Sequence, residues 1–311
     1  MSRSYEELAR YYVQNLNALV DAYGREDGML YPVCAGILLE RTRPITAEEL
    51  KGLRTHIRFD DDFTGDFKGS AVVPVACLLA ASDHPEELTV KAPALYRKLV
   101  EHMPRSSFLA LTVLALADGI PEDRVDEYVE KANRIYELLE KTGKLDHEGE
   151  GFVAALLAMT NKSPELAAFD AHDLLDKLKP LFPLRSSARA VALTLALSGR
   201  SNEADLRHIR RLMTKLHIAG MKLGGNHSMG LLGALAFCKF DNAGLVERLR
   251  DADLALSREK PYRGLMAVSR KRRLIHAAIL VSYRAAVGDP RFKAAYRAAL
   301  CIILADALSA Y

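Results

Sequence analysis

Residues 85–118 read PEELTVKAPALYRKLVEHMPRSSFLALTVLALAD. Pro85–His102 is a helix with one charged face. Pro104 stops it, and Phe108–Asp118 is a shorter helix that is apolar nearly all round. A helix apolar on every side has to be buried, whereas a one-sided helix lines a surface. The stretch is therefore an outer helix followed by an inner one, a helical hairpin.

The pair recurs along the chain. Leu99, Leu139, Leu178, Leu216 and Leu256 mark the long helices at steps of 40, 39, 38 and 40, a beat that reads as stacked hairpins. Inner helices are expected at Met29–Arg41, Ala71–Ser82, Phe108–Asp118, Phe152–Thr160, Ala188–Ser198, Ser228–Phe240 and Arg272–Ala286. Outer helices are expected at Ser4–Tyr23, Ala47–Phe59, Pro85–His102, Pro121–Lys141, Pro164–Leu178, Asn202–Ala219, Asn242–Arg258 and Pro290–Ser309. The chain thus opens and closes with an outer helix.

Start and stop signals agree. Ser4-x-x-Glu7 and Thr46-x-x-Glu49 fit the capping box, in which hydroxyl and carboxylate each satisfy a free backbone N–H. Ser163-Pro164-Glu165 puts an N-cap before a proline at the first helical position. Gly24, Gly143 and Gly220 follow helical runs. β-branched alternation is missing, so the fold class is all-α. The hairpins make either an open curved α-solenoid or an α/α toroid. The unequal linkers favour the open array. Residues 1–311 read as a single helical-repeat domain, with a weak joint near 178–187 where prolines meet a change in charge.

Half of the residues are hydrophobic and 27% are charged, as in ordinary globular proteins. No apolar run reaches the roughly 18 residues of a membrane span, and the start has no segment of secretory type. A cytoplasmic protein without membrane contact is expected. Cys34, Cys77, Cys238 and Cys301 lie far apart in apolar stretches and read as reduced core thiols. The net charge of +3 hides a polarity. Residues 1–180 carry 21 Lys and Arg against 31 Asp and Glu, and residues 181–311 carry 22 against 9. Such a field suits an anionic partner at the basic end, or head-to-tail self-association.

Several stretches resemble an uncharacterised bacterial family catalogued as domain of unknown function 4003. They are Phe67-Lys68-Gly69 before VVPVACLLAAS, SSARAVALTLALSG at 186–199, GLLGALAF at 230–237 and RLIHAAILVS at 273–282. The resemblance covers roughly residues 50–285. It implies a wholly helical fold of about this length. The family pattern usually has Arg where this chain has Lys68. No activity, cofactor or catalytic residue comes with it.

In a hairpin array every inner helix begins on one edge. The sequence before those starts holds Asp60, Asp61, Asp62 and Asp66, then Arg105-Ser-Ser, His147-Glu148-Gly-Glu150 and Arg185-Ser-Ser. Gly224-Gly-Asn226-His227 and Arg270-Lys-Arg272-Arg273 follow, with His276 one turn on. Helix N-termini offer free N–H groups and partial positive charge, so such a rim is a candidate anion site. Arg forks match carboxylate or phosphate. His227 and His276 are candidate acid–base groups. The aspartate run lies in a loop, lacks a second acidic motif and does not fit a calcium loop, so no metal is assigned. The cluster at 270–273 could meet phosphates, with Tyr262 and Tyr283 as the nearby aromatic residues. Serine-hydrolase and phosphate-loop signatures are missing.

These residues lead to three expectations. The first is an interaction scaffold taking a peptide or protein on its concave inner face. The second is a toroidal enzyme or receptor for a small anionic molecule at the rim. The third is a nucleic-acid or nucleotide binder using the basic C-terminal third. No cofactor is expected.

Overall fold

The computed structural model describes residues 3–25, 28–142, 147–197, 203–223, 226–236, 238, 241–264, 267–287 and 290–309. Side chains are described throughout these except at 147–149, 226–227, 290–292, 294–295 and 306–309. Among the described residues there are fifteen α-helices and no strand. The first hairpins are α1 (Tyr5–Tyr23) with α2 (Leu30–Ile37), α3 (Ala47–Phe59) with α4 (Val72–Ala81), and α5 (Pro85–Leu99) with α6 (Ser107–Leu116). Next come α7 (Val125–Glu140) with α8 (His147–Ala158), and α9 (Pro164–Leu178) with α10 (Arg185–Leu197). They are followed by α11 (Glu203–Ile218) with α12 (Gly230–Ala236), then α13 (Asn242–Ser257) with α14 (Arg270–Ala286), and last α15 (Pro290–Ser309).

The local chemistry sets these bounds. Both capping boxes form: Ser4 Oγ accepts from the Glu7 N–H and Thr46 Oγ1 from the Glu49 N–H, with each glutamate reaching back. Ser163 caps α9 ahead of Pro164. Gly24 at φ 87° and Gly220 at φ 67° end their helices in the left-handed region, which costs glycine little. Gly143 lies outside the described residues.

Two layers follow from burial. Every residue of α2 and of α12 is buried, whereas α3 buries Leu50 and Ile57 and leaves its other residues at least partly exposed. The five marker leucines lie near the ends of α5, α7, α9, α11 and α13 and are all buried. The buried apolar side chains form one continuous cluster from Tyr5 to Ala305. Each fully buried Leu in it contributes about 1.5–3 kcal/mol.

Successive inner helices touch in the order α2, α4, α6, α8, α10, α12, α14, and α14 touches α2 again. In the outer layer α1 packs on α13. Helices α10 and α12 approach closely at two glycines: a Cβ on Gly230 would lie 3.5 Å from Thr194 Oγ1, and one on Gly233 would lie 2.7 Å from Thr194 Cβ.

One element departs from expectation. Helix α15 is not an outer helix: it packs against α2, α6, α10, α12 and α14. Tyr296 and Ala298–Ala305 are buried. Its cations misled the sequence reading, because Lys293 and Arg297 are consumed by one carboxylate, Glu40, at the end of the first inner helix. The stretch Ala298–Ala305 is apolar throughout and needs neighbours on all sides. Beside α15, where α2, α4 and α6 end, lies a cavity of about 20 Å³, room for one water molecule.

Candidate functional site

The loop after α3 is pinned from below by aromatic packing. Phe63 and Phe67 are buried, with ring centroids 5.4 Å apart, and Phe67 meets Tyr96 at 5.2 Å, both edge-on. This fixes where the aspartates point. Asp60 Oδ1 accepts from the Asp62 N–H at 2.9 Å, and its other oxygen lies 3.5 Å from His56 Nε2. Lys68 Nζ donates to the Asp60 carbonyl at 3.1 Å. Asp62 pairs with Arg97 at 3.1 Å and Asp66 with Arg105 at 3.0 Å, while Asp61 is exposed. The carboxylates therefore diverge onto separate cations. Among the described residues no three His, Cys, Asp or Glu side chains are placed to hold a metal. Burial, then the neighbouring Asp66, pushes the Tyr96 phenol above its ordinary pKa.

Arg105 and Asp66 are rim candidates from different hairpins that the structure brings together. Ser106 caps α6 by accepting from the Leu109 N–H at 3.1 Å. Arg185 opens α10 and is exposed. Asn226 and His227 open a short 3₁₀ turn, Asn226–Met229, and their side chains lie outside those described, as do those of His147 and Glu148. Gly224 and Gly225 lie outside the described residues.

At the far end of the chain the basic run divides. Arg270, Lys271 and Arg272 are exposed. Arg273 turns away from them and grips Asp253 of α13 with bonds of 2.6 and 3.2 Å. One turn on, His276 is 2% exposed and its Nδ1 lies 2.7 Å from the Tyr262 hydroxyl. The Tyr12 ring from α1 stands 5.7 Å from the imidazole. Burial first, then the Arg272 charge, pulls the His276 pKa down to about 3. The imidazole is thus neutral and enclosed, and its place is at the contact between α14 and the first hairpin rather than at an open mouth. Tyr262, one of the two aromatic residues near the basic cluster in sequence, is likewise buried.

Sequence reading missed one surface feature. Between α7 and the turn joining α8 to α9 lies an open groove of about 800 Å³. Its walls include Arg124, Glu127, Lys131, Arg134, Met159 and Lys162. Two matching ties shape its margins: Lys91 Nζ donates to the Ile120 carbonyl and Lys131 Nζ to the Thr160 carbonyl. Donors and acceptors are both forty residues apart, and each lysine stands eight residues before a marker leucine. That shared spacing was the available signal.

Together these observations define an all-helical hairpin protein whose inner layer packs around its own last helix. A family model described as "Protein of unknown function (DUF4003)" matches residues 18–295. The chain belongs to that family. No curated protein and no solved structure matches it significantly. Among the described residues no helix is long and apolar enough to cross a membrane.

Proposed function

We propose that the hairpins form a single closed α/α toroid over residues 1–311, and that the protein is an interaction scaffold binding a peptide or protein on its outer side. The position of α15 carries this reading. Helix α15 sits against five of the seven inner helices, so a partner on the concave face would first have to displace it. The groove beside α7 is open by contrast. Its volume of about 800 Å³ falls in the range of binding clefts. Its walls are paired surface charges and two exposed turns, which suits an extended segment carrying both charge signs.

Selection of peptides from a random library on the full chain tests this. Selected peptides are expected to lose about tenfold or more in affinity when Met159→Glu and Arg134→Glu are introduced, since both face the groove. Selection that returns nothing tighter than about 1 mM, or binding indifferent to both changes, ends the reading.

A second reading, an anionic ligand such as a nucleic-acid backbone, is favoured by one observation. Lys260, Arg263, Arg270, Lys271 and Arg272 are exposed and make no ion pair among the described residues. Such binding should fall steeply with salt and with Arg270, Lys271 and Arg272 changed to Ser. Salt-independent binding removes it.

A further inference from the structure

The outer helices do not share charge evenly. After its first turn α11 carries Arg207, Arg210, Arg211 and Lys215 and no carboxylate. All four are exposed, and none makes an ion pair among the described residues. Arg207, Arg211 and Lys215 recur every four residues and so form one row on the helix, about 12 Å long at 1.5 Å per residue. Buried Leu206, Ile209, Leu212 and Leu216 take the opposite side. The row thus points away from the core.

An acidic counterpart lies two and three hairpins earlier in the chain. The turn entering α5 carries exposed Asp83, Glu86 and Glu87, and the turn entering α7 carries exposed Glu122 and Asp123. The two turns are held side by side. Ser82 Oγ donates to Asp118 at 3.0 Å, and Lys91 donates to the Ile120 carbonyl. None of these five carboxylates makes an ion pair among the described residues. Of the cations nearby, Arg124 pairs with Glu127, and Lys91 is turned onto that neutral carbonyl.

We propose that the α11 face docks onto the α5–α7 acidic edge of a second copy of this chain. Charge complementarity selects the occupant. One molecule presents both a cationic row and an acidic edge whose carboxylates make no ion pair among the described residues, and α9 lies between them in the order of outer helices. Joining copies satisfies both. The two faces differ, so the contact is heterologous and leaves a free face at each end, giving short chains or a ring. Exposed charges of this kind steer association and are screened by salt. The contact uses different residues from the groove that carries the proposed function, so either can fail alone.

Sedimentation of the full chain at about 0.02 M and about 0.5 M salt tests it. Assemblies are expected at low salt and single copies at high salt. Arg207→Glu with Arg211→Glu should give single copies at low salt, as should Glu86→Lys with Glu122→Lys and Asp123→Lys. Mixing these two variants should restore the larger assemblies at low salt, because the reversed row of one matches the reversed edge of the other just as their unaltered faces match. Zero-length carbodiimide cross-linking of the unaltered chain should join Lys215 to the acidic turns. Single copies of the unaltered protein at low salt, assemblies that survive both sets of changes, or a mixture that stays unpaired would each overturn the proposal. So would assembly that requires an added polyanion.

Discussion

Arg297 on α15 holds Glu40, 257 residues earlier, through bonds of 3.0 and 2.6 Å. The pair closes a loop of most of the chain and seats the last helix against the first hairpin. Glu40 is 10% exposed and Arg297 25%, so the charges are poorly solvated and depend on each other.

Arg297→Ala is therefore expected to destabilise the protein by about 2–4 kcal/mol in urea unfolding, with Lys293, 3.5 Å from Glu40, offsetting part of the loss. Combining Glu40→Leu with Arg297→Met should recover most of it, because no lone charge is left buried. An Arg297→Ala protein as stable as the unaltered chain would show that the pair is not formed.

Three glycines should respond with opposite signs. A Cβ at Gly36 would come within 2.7 Å of Ile279 Cγ2, and one at Gly233 within 2.7 Å of Thr194 Cβ. Gly36→Ala and Gly233→Ala should each cost about 1–3 kcal/mol by overpacking. Gly52 lies inside α3 with nothing within 4 Å of a new Cβ. Gly52→Ala should add about 0.5–1 kcal/mol through helix propensity. Thermal or urea unfolding of the three variants checks the reversal of sign.

Acid should weaken the contact between α14 and the first hairpin. His276 titrates near 3 in the folded protein and near 6.5 when unfolded. Its folded pKa is depressed, so the unfolded chain binds the proton first. Stability is full above about 6.5 and falls as pH drops from there toward 3, with a slope approaching about 1.4 kcal/mol per pH unit from this group. His276→Gln keeps a partner for Tyr262 and removes the titration. The slope between pH 6 and 4 should flatten in that variant; an unchanged slope would place the acid sensitivity elsewhere.

The aspartate loop should be indifferent to divalent cations. Asp62 and Asp66 already face Arg97 and Arg105, and a hard cation needs several oxygens converging on one point. Millimolar Mg²⁺ or Ca²⁺ is expected to leave the melting temperature unchanged. A saturable rise would reveal a site that the carboxylate directions do not provide.

Helix positions were legible because their signals are local. Residues 47–59 and 164–178 are helical with the bounds that Thr46 and Ser163 announce. The place of α15 was not legible. An apolar run shows that a helix must be buried but not among which neighbours, and Tyr296 meets Gly36 across 260 residues. The rim fared differently again. Arg105 and Asp66 were both named, yet as separate ligand contacts, and their 3.0 Å pairing spends each on the other. Asp253 sits in the charged face of α13 with nothing local to mark it as the partner of Arg273. His276 gave the type of chemistry but not its enclosure, which comes from Tyr12 and Tyr262 on other elements.

Hydrogen exchange of the intact chain, followed by mass spectrometry, tests most directly whether α15 is the centre of the fold. Amides of 296–305 should exchange as slowly as those of 274–281 in α14, through global unfolding alone. Rapid exchange across 296–305 while 274–281 stays protected would mean that the last helix is not buried against the inner helices.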